Sequence, residues 1–194
     1  MTVKFDKAKF FEFLASRKCS IQDFDSYLSE VENVITAKKL LKDDEFLAVL
    51  YLVGRQKYCV TLGDISEFFG ISVDDLLSTV RKLSRKYGLK YRFNTDMCIK
   101  RAIEYCGIRD EDAEETIKKF MSIFRSGRPD ILVAFSVGFI YNCDATRLFG
   151  TSLSALKYHL NQLFSGPKGQ GKHDKPYPNG KDEDADDKEN VIHI

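Results

Sequence analysis

Two segments of this chain, 80 positions apart, carry one pattern: Phe69-Gly70-Ile71-Ser72-Val73 and Phe149-Gly150-Thr151-Ser152-Leu153. The register continues without a gap, because Leu76, Val80 and Leu83 fall opposite Leu156, Leu160 and Leu163. A glycine that closes one helix, followed by a serine that caps the next, is a helix-turn-helix layout. An apolar run precedes each copy, Phe46 to Val53 and Ile131 to Tyr141. A helix hydrophobic on every face has no solvent side, so each run is expected at the centre of its half. Strand is the competing reading of such a run, but Leu and Ala dominate and no alternation is present. Order, cap and stripe together predict an all-α chain built from two diverged copies of one helical unit.

The remaining segments fit that plan. Phe10, Phe11, Phe13 and Leu14 mark a short amphipathic helix within residues 6–19, and Ser20 to Tyr27 leads into a second helix with Leu28, Val31, Val34 and Ile35. The acids of the Lys42–Glu45 break favour a helix N-terminus. Thr61 caps a helix through Leu62, Ile65, Phe68 and Phe69. In the second half, Asp110 to Phe124 reads as a helix, and Pro129 suits a first helical position after the Ser126-Gly127-Arg128 turn. Only eight residues separate Tyr141 from Gly150, so the helix before that glycine is expected to be a stub. These readings divide the chain into residues 1–92, 93–164 and a tail, 165–194. The tail is Gly-rich, then almost wholly charged, which predicts disorder. Its Gly166 to Gly171 segment follows no strand and precedes no helix, so it reads as linker rather than phosphate loop.

Charge and cysteine usage bound the setting. The chain has 30 basic and 29 acidic residues, of which residues 1–164 hold 25 and 22. Five cysteines, at 19, 59, 98, 106 and 143, form no C-x-x-C pair and follow no leader-like segment. A reducing, intracellular place is the expectation: cytoplasmic in an archaeal or archaeal-viral setting, nuclear in a eukaryotic one. Cys98 and Cys106 read as small core residues. The longest apolar run is too short to span a bilayer, so no membrane partner is expected. Catalysis finds little footing. Of three histidines, His173 and His193 fall in the tail and His159 lies beside an apolar stripe. The acids Asp74, Asp75, Asp110, Glu111 and Asp112 sit at helix starts, where they favour the dipole. No enzyme activity, metal, cofactor or small-molecule substrate is expected.

The series Leu47 to Gln56, then Thr61-Leu62-Gly63-Asp64-Ile65, then Gly70-Ile71-Ser72, resembles the first cyclin-like repeat of transcription factor IIB and its archaeal counterpart. That family carries an apolar central helix ending in a Tyr-x-x-x-Arg-Gln-like segment, here Tyr51 to Gln56, then a Thr-capped helix and a Gly-x-Ser turn. Ser126 to Pro129 and the run ending in Ile140-Tyr141 are similar to the second repeat. The resemblance covers residues 6–164 and implies two tandem cyclin-like repeats, each ending in a helix-turn-helix-like unit. It does not extend to the family's Cys-rich zinc ribbon, which recruits polymerase, because no cysteine pair precedes the first helix.

The resemblance implies duplex promoter DNA as partner, with TATA-binding protein and the RNA polymerase machinery beside it. In the family the last helix of the second repeat reads bases. Here its outward positions are Ser152, Ser154, Ala155, Lys157, Tyr158 and Asn161. Lys157 can reach a phosphate or a guanine edge, whereas Ala155 offers only contact with a thymine methyl. The family's base preference therefore does not transfer. A second candidate surface is the basic stretch Arg81, Lys82, Arg85, Lys86, Lys90, Arg92, Lys100 and Arg101, interleaved with Tyr87 and Tyr91 and holding one acid, Asp96. Such a cluster is an electrostatic footprint for phosphates; an ordinary solvated linker is the plainer reading of the same charges. A different function class also stays open: a cyclin-like interaction module for a protein partner such as a kinase.

Overall fold

The computed structural model of the chain describes residues 5–89, 91–124 and 128–151, with Tyr158 and Asn161. The expected tail, and Lys90, Ser152, Ser154, Ala155, Lys157 and His159, lie outside the described residues. Among those described, the elements are α1 Lys7–Ser16, α2 Phe24–Lys38, α3 Asp43–Lys57, α4 Leu62–Phe69, α5 Val73–Tyr87, α6 Thr95–Cys106, α7 Ala113–Ser122, α8 Pro129–Tyr141 and α9 Thr146–Phe149. The described residues contain helices and no strand, so both apolar runs are helical. No helix among them is long and apolar enough to cross a membrane.

Cap chemistry sets the boundaries. Asp6, Asp23 and Asn94 accept from Lys9 N, Ser26 N and Met97 N at the starts of α1, α2 and α6. Thr61 and Asp64 close a reciprocal capping box on α4. Gly70 ends α4 in the left-handed region at φ 65°, and Gly150 ends α9 at φ 62°. As the short Tyr141–Gly150 spacing predicts, α9 has only four residues.

The core forms two clusters. The first is gathered on α3, where every residue from Phe46 to Arg55 is buried. The second joins α6 to α9, with Cys98, Ile99, Ile117, Val133, Val137, Leu148 and Phe149 inside. Unlike α3, α8 is not covered on all sides. Phe135 is half-buried and Phe139 is 69% exposed. The expectation of a helix packed all round therefore fails at its C-terminal half.

Two sequence expectations need correction. The basic stretch 81–101 is not one linker, because α6 begins at Thr95 and buries Cys98, Ile99 and Ala102. With them it buries Arg101, at 3% exposure. Arg101 donates to both oxygens of the fully buried Asp64, at 2.7 and 2.8 Å, and to the carbonyls of Cys59 and Arg17. Its donors are spent inside, so it is not a surface contact for DNA. The cysteines are the second correction. Cys59–Cys98 and Cys106–Cys143 are disulfides, with Cα separations of 5.5 and 6.0 Å, and Cys19 is a buried thiol. Cys59 belongs to the α3–α4 connection and Cys98 to α6, so the first bond ties the two halves together.

The halves meet along α4 and α9. A Cβ on Gly63 would lie 2.5 Å from Leu148 O and 2.8 Å from Gly150 N. Thr61 Oγ1 donates to Leu148 O. Arg17 links the joint by donating to Asp64 at 2.8 Å, to Glu67 at 2.8 Å and to Arg147 O at 3.1 Å.

Candidate nucleic-acid interface

The α5 helix is the best-developed candidate surface. Leu76, Val80 and Leu83 are buried, and at 3.6 residues per turn Arg81, Lys82 and Arg85 fall on the opposite side, with Lys86 on its flank. All four are exposed. None forms an ion pair with a carboxylate among the described residues. Lys86 Nζ lies 4.8 Å from the centre of the Tyr87 ring, an attraction that keeps the ammonium on the helix surface. Arg85 and Lys86 stand in the last turn, where the helix dipole favours cations. The helix end alone would hold such charges in place, but Arg81 and Lys82 lie a turn earlier and extend them along the face.

The other basic positions divide. Arg92 is exposed in the segment before α6. Lys100 is exposed on α6, with Glu114 Oε2 3.9 Å away. Asp96, the acid inside the stretch, is 2.9 Å from Lys118 and so is partly neutralised. Arg101 faces the core, as described. In the second half Tyr158 and Asn161 are helical and exposed.

Sequence reasoning overlooked the ion pairs at the joint. Arg147 donates to Glu67 at 2.6 and 3.0 Å, and these two residues stand at the same 80-residue offset as the paired glycines. The offset itself was the signal that could have found them. The Arg147 hydrogen bond is the largest influence holding the Glu67 carboxyl below its ordinary value of 4.5, with the Arg17 charge adding to it and partial burial opposing it.

Another overlooked surface is aromatic. Phe120 stacks on Phe139 at 5.2 Å, Phe135 lies 5.6 Å from Phe120, and Phe124 is 5.3 Å from Phe120. Ile123 beside them is 70% exposed. Its signal was the spacing of Phe135 and Phe139, one helical turn apart on a run too apolar to suggest any exposed side. No protein-family model, curated protein or solved structure matches this chain.

Proposed function

We propose that this chain is a transcription factor IIB-like protein that binds duplex DNA in, or as a regulator of, transcription initiation. The observation carrying the proposal is the α5 face. Four exposed cations, none in a close ion pair among the described residues and only Lys86 within reach of a carboxylate charge, that of Glu45, occupy the second helix of a helix, glycine turn, helix unit. Neutralised phosphates release counterions, so such a face favours a polyanion over a protein surface of mixed charge. The cyclin-like duplication belongs to the same reading. It draws support from an apolar helix in each half, buried throughout its middle in α3 and along its N-terminal part in α8, the matched left-handed glycines, and the Glu67–Arg147 pair.

In this reading α5 positions the protein on the backbone, while the segment holding Lys157, Tyr158 and Asn161 meets base edges. Promoter DNA, TATA-binding protein and the polymerase machinery are the proposed partners. An intracellular location goes with it. Hyperthermophile proteins are the known case of disulfide-rich intracellular chains.

The test is binding to a labelled duplex across 50 to 200 mM salt. Four phosphate contacts give a slope of about −3.6 for log Kobs against log salt. A slope near zero, or no binding, removes the reading. Selection from random duplexes, with and without TATA-binding protein, then defines the sequence and the partner.

A second reading, a cyclin-like module for a protein partner, is favoured by the aromatic face of α7 and α8. Exposed contiguous apolar patches mark interaction surfaces. Salt-indifferent behaviour on a DNA resin would favour it.

A further inference from the structure

The cations of α5 are not balanced by the residues around them. Arg81, Lys82, Arg85 and Lys86 are exposed, none stands in a close ion pair among the described residues, and only Lys86 feels a carboxylate charge, that of Glu45. Their spacing adds to the imbalance. Arg81 and Arg85 are four positions apart, as are Lys82 and Lys86, and like charges at that spacing repel across a helical turn. The helix dipole offsets this only at Arg85 and Lys86, in the last turn. A run of anions laid along the face would relieve it.

The chain carries such a run. Residues 182–189 hold six acids and one lysine, Lys188, whereas residues 165–181 hold four lysines and one acid, Asp174. The negative charge is therefore gathered in one place rather than spread. This run lies outside the described residues. Reach does not prevent it from meeting α5. The 21 positions from Asn161 to Asp182 span up to about 70 Å when extended, against roughly 40 Å across a compact domain of this size. Spacing matches as well. Every second residue of an extended chain returns to the same side about 6.6 Å on, close to the roughly 6 Å rise from Arg81 to Arg85 and from Lys82 to Lys86.

We propose that the acidic run Asp182 to Glu189 docks on the cationic face of α5 in its own chain and covers it. The same cations are the phosphate contacts of the DNA reading, so the run and a duplex compete for one face. The docking does not require that reading. Its consequence does: duplex binding then waits on release of the run.

The experiment follows amine acylation of the full chain by mass spectrometry. Wild type is compared with a variant carrying Asp182→Asn, Glu183→Gln, Asp184→Asn, Asp186→Asn, Asp187→Asn and Glu189→Gln together. At low salt, Lys82 and Lys86 react about threefold or more slower in wild type, because reactivity follows the fraction of molecules with a free face. Lys9 of α1 and Lys119 of α7 react alike in both chains. At 1 M salt, where the screening length is about 3 Å, the difference disappears. Equal low-salt rates for Lys82 and Lys86 in the two chains overturn the proposal. Carbodiimide coupling of mixed light- and heavy-isotope wild-type chains identifies the occupant. Links from Lys82 or Lys86 to residues 182–189 join peptides of one isotope, whereas mixed links place a second copy's run on the face and overturn the proposal. A duplex arm keeps the two readings apart. The variant binds duplex about threefold or more tighter, by the same free fraction. If Lys82 and Lys86 are protected but neither chain binds duplex, the docking stands and the DNA reading falls. If both chains bind duplex equally and no protection is seen, the docking falls and the DNA reading stands.

Discussion

Lys100 and Arg101 are neighbours in sequence with opposite fates. Lys100 points to solvent, while Arg101 is one of two guanidiniums around the buried Asp64. Removing one member of a buried, hydrogen-bonded ionic group leaves the others uncompensated and costs about 3–5 kcal/mol. Arg101→Ala should therefore lower the urea midpoint severely, whereas Lys100→Ala should change stability by no more than about 0.5 kcal/mol. Equal effects would show that the buried network is not as described. Glu67 supplies a pH test. Its folded-state pKa lies below 4.5, so its stabilisation is present above that value and is lost as pH falls through the lower, folded one. Melting curves of wild type and Glu67→Gln should differ at neutral pH and converge in acid. A constant gap would mean that the Arg147 and Arg17 contacts do not depend on the carboxylate charge.

Between elements, α4 approaches α9 closely at Gly63. Gly63 is needed there for space rather than for backbone freedom, because an added methyl would press on the carbonyls of Arg147 and Leu148, which cannot swing aside. Gly63→Ala should cost at least the roughly 1–3 kcal/mol of an overpacked core, read from chemical unfolding. A neutral result would mean that the helices sit further apart. The elements most legible in the sequence were those with local instructions. Thr61, Gly70 and Ser72 carry cap and turn chemistry within a few residues, so α4 and α5 could be placed from them alone. The helix α6 was hidden because Lys100 and Arg101 gave its segment the look of a charged linker, while its buried stripe of Cys98, Ile99 and Ala102 is short and weakly apolar. That Arg101 turns inward depends on Asp64, 37 positions away. Such pairing exists only once the chain has folded. Cys59–Cys98 is invisible to spacing rules for the same reason.

For the whole molecule, the Cys59–Cys98 disulfide and one ionic joint hold the halves together, while Cys106–Cys143 lies within the second half. The bridges close loops with sequence separations of 39 and 37 residues. Chain-entropy arguments give each about 4 kcal/mol at most, with strain and residual structure reducing it. Thiol labelling of the denatured, unreduced chain should modify Cys19 alone, and reduction should lower the melting temperature by many degrees. Labelling of all five cysteines without reductant would remove the bridges from the picture. In the proposed reading, α5 of the first half gives affinity and the segment holding Lys157 gives sequence preference. Phosphate contacts position a protein without reading bases, so the two roles separate by substitution. The most direct measurement is the salt dependence of duplex binding by Arg85→Ala/Lys86→Ala beside wild type. If α5 lies on the phosphate backbone, the double variant binds every duplex more weakly. Its slope is then shallower by about 1.8, since each phosphate that a side chain neutralises adds about 0.9. If affinity and slope are both unchanged, α5 does not face DNA.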